Sequence, residues 1–231
     1  MASPFAMFAI TVAAAGPLAS CGLGYRPDKN LLRIEGPLHF VDGYPAVSDD
    51  GLVNVVVEIP SGTLAKWEVD KGDGALAWQF EDGGPRVVRF LGYPGNYGMV
   101  PRTYLPKSEG GDGDPLDVLV LGDALERGSI RPVRLIGVLE MLDRGEQDDK
   151  LIAVAAGTPF EKVASMEELD EGFPGASEII SIWFESYKGP GKIKVEGFSG
   201  PDRANEILEA AKAAYAEAQI ALASGVLDSG R

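Results

Sequence analysis

The chain has 231 residues, with 35 acidic and 21 basic side chains and a formal net charge of −14. This acidity argues against nucleic-acid binding, because nucleic-acid phosphates bind proteins through basic patches. The single Cys excludes an internal disulfide and a cysteine-rich zinc site, and the single His, His39, excludes metal centres built from several histidines. Hydrolytic chemistry in this chain must therefore rest on carboxylates, Lys, Arg and Tyr.

Residues 1–21 predict a leader. No charged side chain precedes Arg26, and residues 5–18 are mostly small and apolar, a length typical of a signal peptide but too short to span a bilayer. The order Leu-Ala-Ser-Cys ending at Cys21 resembles the bacterial lipobox, which predicts lipidation of Cys21 and an exported, periplasmic or membrane-anchored lipoprotein. Because no Lys or Arg lies in the leader, a plain secretory signal or a cytoplasmic protein with a spurious leader is the alternative.

The rest of the chain predicts an α+β fold that is mainly β. Residues 22–50 are rich in Gly, Pro and Asp and predict a tether with an irregular entry into a domain over 51–231. Patterns of β-branched and alternating residues predict strands at 52–59, 64–69, 75–80, 86–91, 117–121, 133–142, 151–155 and 193–198. Helical spacing predicts helices at 176–187 and from Ala204 to near Gly225. Strands first and helices last favour a small barrel or sheet covered by helices.

Three carboxylates lie within six residues at Asp112, Asp114 and Asp117. Like charges held this close repel one another unless a cation neutralises them. Oxygen ligands without nearby His favour Mg²⁺ or Mn²⁺ over Zn²⁺. A solvated acidic turn is the alternative, but the apolar run that follows predicts Asp117 at the start of a buried strand, where a solvated charge is poorly placed.

Two further segments carry polar groups that are ordinary when taken singly. Asp143 to Lys150 is an acidic stretch between two apolar runs, as in a hairpin turn, and Tyr93 and Tyr97 are the ends of a Tyr-Pro-Gly-Asn-Tyr turn sequence. Within 64–69, strand alternation places Lys66 and Glu68 on one face, opposite Trp67. Each segment alone is explained by solvation or packing.

Together, these motifs resemble the family I soluble inorganic pyrophosphatases. The segments that carry the resemblance, in chain order, are VVVEIP, KWE, PRVVRF, YPGNYG, DGDPLDVL, LDRGEQDDK and WFESYKGPGK. They span about residues 52–224, and several independent motifs in one order make chance similarity improbable. The resemblance implies a small closed OB-like β-barrel flanked by helices, with two main helices toward the C-terminus. It also implies hydrolysis of pyrophosphate to two phosphates by a metal-activated water.

The resemblance also implies a role for each site residue. The principal metal ligands would be Asp112, Asp117 and Asp148, with Asp143 and Glu58 either as additional ligands or as residues that support the ligands from behind. Asp114 matches the general base. The substrate-binding residues would be Lys66, Arg86, Tyr97, Lys150, Tyr187 and Lys188, and the supporting residues Glu68 and Tyr93. The implied cofactor is Mg²⁺, with Mn²⁺ or another hard divalent ion also suitable, and the implied assembly is a homo-oligomer, either a hexamer or a dimer.

Two other function classes are weighed against this hypothesis. One is a related metal-dependent phosphohydrolase that acts on polyphosphate or nucleotides, and the other is an inactive module that only binds metal or phosphate. Phosphate release from pyrophosphate, compared with ATP and tripolyphosphate, distinguishes all three. A complete set of base, ligands and phosphate-binding cations argues against the inactive module.

Overall fold

A computed structural model describes residues 32–106, 111 and 113–224. The strands in chain order are β1 (Arg33–Ile34), β2 (Val53–Ile59), β3 (Trp67–Val69), β4 (Leu76–Trp78), β5 (Phe80–Glu81), β6 (Gly84–Pro85), β7 (Asn96–Met99), β8 (Asp117–Leu121), β9 (Ile130–Asp143), β10 (Glu146–Gln147), β11 (Lys150–Ala155) and β12 (Ile193–Ser199). The helices are α1 (Met166–Gly172), α2 (Ala176–Tyr187) and α3 (Pro201–Ala223). No helix among these residues is long and apolar enough to cross a membrane.

Five strands form a closed barrel. Hydrogen bonds join them in the order β2-β7-β8-β11-β9, and β9 also pairs with β2, which closes the ring. The β8–β11 pair is parallel and the other four pairs are antiparallel. This is the small OB-like barrel that the resemblance implied, and α2 and α3 are its two main helices near the C-terminus.

Apolar side chains on both surfaces of the strands build the core. Leu119, Ile136 and Ile152 lie in a cluster with Trp183 and Phe184 of α2. A second cluster, on the side of α3, joins residues of β2, β8 and β11 to the buried residues Ala204, Leu208 and Ala211. Because apolar burial is the main favourable term in folding, these two clusters fix the barrel from both sides and leave one barrel end for polar groups.

Strand β7 lies within a segment whose sequence is typical of a turn. A side-chain carbon at Gly98 would lie 1.9 Å from the carbonyl oxygen of Val56 on β2, so only glycine permits this close approach. The strand places Tyr97 inside the barrel end, where it is buried. The sequence pattern predicted a turn over 93–97, whereas the strand begins at Asn96.

The predicted strand at 86–91 is wrong. Its regular pairing is limited to an isolated bridge between Val87 and Ala65, and the nearby strand β6 ends at Pro85. Val88 is buried in the core, but Val87, Phe90 and Leu91 are exposed, so most of this apolar run lies along the surface.

Residues 32–50 are the described part of the predicted tether and irregular entry. β1 pairs with β4, and Phe40 and Val41 are buried in a cluster with Trp67. The Tyr215 hydroxyl on α3 donates a hydrogen bond of 2.7 Å to Asp42 Oδ1. These contacts attach residues 32–50 to the barrel and to α3.

Candidate active site

A polar cleft of about 430 Å³ lies at one end of the barrel. It brings together 12 of the predicted site residues, which are Glu58, Lys66, Glu68, Arg86, Tyr97, Asp114, Asp117, Asp143, Asp148, Lys150, Tyr187 and Lys188. Tyr93 lies outside the lining and packs behind it. Asp112 and Cys21 lie outside the described residues, so their predicted roles stay predictions.

The floor of the cleft is built by barrel strands. Asp117 begins β8 and Lys150 begins β11, and because these strands are parallel neighbours, both side chains emerge at the same barrel end. The Lys150 ammonium donates a 2.6 Å hydrogen bond to Asp117 Oδ2 and a second one to Asp148 Oδ1. Lys150 is 3% exposed, so this charge is compensated almost entirely by its two carboxylate partners.

The pKa values on the floor show which groups stay charged. Burial alone would raise the pKa of Asp117, but Lys150, Lys66 and a hydrogen bond from Tyr97 outweigh it and hold that pKa below its usual range. Burial would lower the pKa of Lys150, but Asp117 and Asp148 keep it above its usual range. Burial is the stronger effect at Asp148 and raises its pKa. Asp117 and Lys150 therefore form a stable ion pair at neutral pH.

Glu58, near the end of β2, is a buried carboxyl group in the wall of the cleft. The Val69 amide donates a 2.8 Å hydrogen bond to Glu58 Oε1. Burial raises the pKa of Glu58 to about 8, although Lys66 and this amide act in the opposite direction. Glu58 is consequently mostly protonated at pH 7, and a cation in the cleft would favour its ionised form.

Lys66 lies on the polar face of the chain at β3, as the alternation predicted. Its ammonium forms a 2.7 Å ion pair with Glu68 and lies 5.0 Å from the centre of the Tyr97 ring. Burial would lower the pKa of Lys66, but Tyr93 and the acidic groups around it outweigh burial and raise that pKa. Trp67, between Lys66 and Glu68 in the sequence, is buried on the opposite face.

The tyrosines are positioned by aromatic packing. Tyr93 lies 5.3 Å from Tyr97 and 4.5 Å from Trp183 between ring centres, and Tyr187 stacks on Trp183 at 4.6 Å. Burial raises the pKa of Tyr93 to about 12 and that of Tyr97 well above its usual value. These two hydroxyl groups therefore stay protonated at neutral pH and can donate hydrogen bonds.

Loops and the end of α2 supply the rim of the cleft. Lys188, which follows α2, forms a 2.7 Å ion pair with Asp143 at the end of β9. Arg86 Nη1 donates a 2.7 Å hydrogen bond to Gln79 Oε1, and its backbone carbonyl accepts one of 2.7 Å from Trp78 Nε1. The backbone at Arg86 is thus fixed while its guanidinium group faces the cleft.

The structure adds residues that the sequence reasoning missed. Lys71 reaches into the cleft, forms an ion pair with Asp114 and donates a 3.3 Å hydrogen bond to the Gly113 carbonyl. Glu146 and Gln147 also line the cleft, from the β10 hairpin. Lys71 lies shortly after the KWE motif and the end of β3 at Val69. A lysine so close to a motif that carries polar site residues could have been identified from the sequence.

The carboxylates of the cleft offer oxygen atoms to a metal ion. Asp143 Oδ1 is buried and has no hydrogen-bond partner among the residues that the structure describes. A buried unpaired carboxylate oxygen is costly unless a cation or donor satisfies it. No three His, Cys, Asp or Glu side chains within the described ranges already form a cage, and the Lys150 ammonium lies between Asp117 and Asp148. The oxygen-only donor set fits a hard divalent cation.

Comparisons with known proteins agree with this geometry. A family model described as inorganic pyrophosphatase matches residues 55–216. An inorganic pyrophosphatase of Helicobacter pylori is 39% identical over 173 residues, which cover 70% of this chain and 90% of that protein. A solved structure of the inorganic pyrophosphatase of Helicobacter pylori aligns with a TM-score of 0.63 and 36% identity, covering 74% of this chain and 98% of that one.

A second solved structure is more distant in sequence. The type I inorganic pyrophosphatase of Toxoplasma gondii aligns with a TM-score of 0.72 and 28% identity, over 78% of this chain and 88% of that one. The matched region contains the barrel, the polar cleft and most of the three helices, and it excludes the predicted leader. This chain belongs to the inorganic pyrophosphatase family.

Proposed function

We propose that this chain hydrolyses inorganic pyrophosphate to two phosphates in the polar cleft. The observation that carries the proposal is the gathering of five cations and seven carboxylates around one cleft of about 430 Å³. Cations bind phosphate oxygens, carboxylates hold hard divalent ions, and the family membership joins these two abilities to one substrate.

Binding of the substrate depends on cations that remain charged. Lys66 and Lys188 have raised pKa values in spite of burial, because acidic and tyrosine groups surround them. Arg86 offers a planar fork of donors that matches two phosphate oxygens. These groups, with Lys150 and Tyr187, would orient the substrate in a protein that otherwise repels polyanions through its overall acidity.

Asp114 is the proposed general base. Its side chain is 48% exposed at the rim, so water can reach it. Asp117 is unsuitable for this role, because its pKa is held low by Lys150 and Lys66 and its oxygens are engaged by the buried ammonium. When the attacking water binds, Lys71 must share the Asp114 carboxylate with that water or break its ion pair with it. Lys71 is therefore part of the proposed mechanism.

Tyr97 and the carboxylates of the cleft have the remaining roles in the proposed reaction. Because its hydroxyl stays protonated, Tyr97 can donate a hydrogen bond to a phosphate oxygen or to the leaving group, while Tyr93 and Glu68 hold the neighbouring side chains. Mg²⁺ or Mn²⁺, held by Asp112, Asp117 and Asp148 with Asp143 and Glu58, would neutralise phosphate charge and make the attacking water more acidic. Lys150 would hold Asp117 and Asp148 in place beside such ions and add its positive charge to substrate binding.

The decisive experiment is an assay of phosphate release by the full chain with pyrophosphate, ATP and tripolyphosphate, each titrated with Mg²⁺. We expect activity on pyrophosphate that rises with Mg²⁺ and is abolished by excess chelator. Preferred turnover of ATP or tripolyphosphate would support the related phosphohydrolase instead. Unchanged activity in chelator would overturn the proposed metal dependence.

A further inference from the structure

A closed ring of backbone hydrogen bonds joins three residues beside the cleft. The Lys66 amide donates to the Arg86 carbonyl at 3.0 Å, the Arg86 amide donates to the Gln79 carbonyl at 2.7 Å, and the Gln79 amide donates to the Lys66 carbonyl at 2.9 Å. Lys66 precedes β3, Gln79 lies between β4 and β5, and Arg86 follows β6. The ring therefore fixes the backbone of two proposed phosphate-binding residues against Gln79.

The Gln79 side chain bridges two charged side chains of opposite sign. Its Nε2 donates a hydrogen bond to Glu68 Oε2, and its Oε1 accepts the 2.7 Å hydrogen bond from Arg86 Nη1. Glu68 in turn forms the 2.7 Å ion pair with Lys66. A continuous chain of contacts thus runs from the Lys66 ammonium through Glu68 and Gln79 to the Arg86 guanidinium.

An amide suits position 79 for a chemical reason. A carboxylate only accepts hydrogen bonds and a guanidinium only donates them, so the group between them must donate at one end and accept at the other. The neutral amide of Gln79 does both and leaves the charge of Arg86 available. A carboxylate at the same position would repel Glu68 and would pair with Arg86 in competition with a phosphate group.

The other acidic neighbour of Arg86 is held loosely. Glu81 Oε2 lies 3.6 Å from Arg86 Nε, and the Glu81 side chain is 65% exposed. This separation is too long for a hydrogen bond, and exposed ion pairs of this kind contribute little. Gln79 is therefore the side chain that orients the Arg86 guanidinium, and among the described residues it lies outside the lining of the cleft.

We propose that Gln79 is a positioning residue for substrate binding. By holding Glu68 and Arg86 at once, it sets the separation of Lys66 and Arg86, so that the two cations act as one unit toward the oxygens of pyrophosphate. A pre-set geometry reduces the freedom that long side chains lose when a ligand binds. This inference rests on the proposed function, because it assigns Gln79 a role in substrate binding at the same cleft.

The KM for pyrophosphate of the full chain at saturating Mg²⁺ tests the proposal. Gln79→Met keeps an unbranched side chain but removes both hydrogen bonds, so KM should rise about tenfold while kcat changes less than about threefold. Gln219→Met on α3 is the matched control, since Gln219 is also half-buried and lies away from the cleft lining. Partial unfolding would lower the apparent kcat and leave KM unchanged, so an unchanged KM in Gln79→Met would overturn the proposal.

Gln79→Glu separates positioning from space filling. The carboxylate has nearly the size of the amide and can still accept a hydrogen bond from Arg86, so a packing role predicts a KM close to that of the wild type. We expect KM to rise at least about thirtyfold, because the new charge pairs with Arg86 and repels Glu68. A smaller increase than in Gln79→Met would contradict the role of a neutral bridge.

A double-mutant cycle with Arg86→Lys tests whether Gln79 acts through Arg86. In the Arg86→Lys background, Gln79→Met should raise KM less than about threefold, because the guanidinium that Gln79 holds is already absent. Equal increases in both backgrounds would overturn the proposal. The wild type in the same assay separates the two hypotheses: an inactive wild type contradicts the proposed function, whereas an active wild type with unchanged Gln79 variants contradicts only the role of Gln79.

Discussion

The floor and the rim of the cleft hold similar residue types in different environments. On the floor, Lys150 is 3% exposed and is bonded to Asp117 and Asp148, whereas on the rim the Lys71–Asp114 pair is about half exposed. Burial makes the floor pair obligatory, because removing one partner leaves an unpaired charge without water. The rim pair can exchange with water or substrate at little cost.

The difference in burial suggests that the floor and the rim of the cleft have different roles. The floor residues lie on barrel strands and keep fixed positions, so they are suited to hold ions and a phosphate group in one geometry. The rim residues lie on loops and at the end of α2, so they are suited to bind and release substrate. If floor and rim substitutions had equal effects on activity and stability, the difference in burial between floor and rim would not govern function.

The largest effect on activity is expected from the floor variant Asp117→Asn. It keeps the side-chain size but removes a proposed metal ligand and the main partner of Lys150, so kcat/KM for pyrophosphate should fall roughly 1000-fold. The matched control is Asp123→Asn, an exposed residue just beyond the other end of β8. Activity of Asp117→Asn within a few-fold of the control would remove Asp117 from the proposed site.

The largest effect on stability is expected from Lys150→Met. The substitution leaves Asp117 and Asp148 without their shared ammonium, so the free energy of unfolding should fall by about 3–5 kcal/mol in metal-free buffer. Urea unfolding measures this loss. The comparison variant is Lys212→Met, which removes an exposed ion pair with Glu209 and should change stability by less than about 1 kcal/mol. Equal effects of both variants would contradict the distinction between buried and exposed pairs.

The elements that the sequence predicted well are those whose pattern is local. The apolar run of β2, the five residues of β8 and the amphipathic α2 all have their predicted bounds to within one residue. Local periodicity suffices there because burial of one face decides the structure. Helix α1 was not predicted. Its N-cap is Ser165, whose side chain accepts a hydrogen bond from the Glu168 amide, and the Ser-x-x-Glu spacing is a sequence signal for such a cap.

Other features depend on contacts that no local pattern contains. β7 forms because Gly98 lets two strands approach closely. The segment at 86–91 pairs with residues 64–66 through a single bridge and stays outside the barrel. The site depends on residues from β2, β7, β8 and β11, which meet only through barrel closure. Motif order therefore identified the residues of the cleft, but their partners, such as Lys150 between Asp117 and Asp148, required the structure.

The next prediction concerns the pH dependence of stability that the buried Glu58 side chain causes. Burial raises the pKa of Glu58 from its usual value of 4.5 to about 8, so the folded state keeps a proton that the unfolded state releases between these pH values. The free energy of unfolding of the wild type should therefore decrease as pH rises from 4.5 through 8. Glu58→Gln cannot ionise and retains an oxygen for the Val69 amide, so it should remove this decrease.

Chemical unfolding in chelator from pH 4 to 9 measures the difference. Glu58→Gln should exceed the wild type by a few kcal/mol at pH 9, since one pKa unit corresponds to about 1.4 kcal/mol, and the two should converge below pH 4.5. Glu35→Gln at an exposed position serves as the control. Parallel pH profiles for Glu58→Gln and wild type would show that Glu58 is ionised in the folded protein.

The smallest effect is expected on the rim, from Lys71→Met. Because Lys71 contributes one exposed cation near the substrate, its loss should raise KM for pyrophosphate about threefold to tenfold, while the free energy of unfolding stays within about 0.5 kcal/mol of wild type. Lys194→Met is the matched control, since Lys194 is exposed and forms a 2.8 Å ion pair with Glu196 away from the cleft. A large loss of stability in Lys71→Met would place Lys71 with the floor residues, and an unchanged KM would remove it from substrate binding. The expected combination, weaker binding with an intact fold, is specific to a rim residue that exchanges its carboxylate partner for substrate.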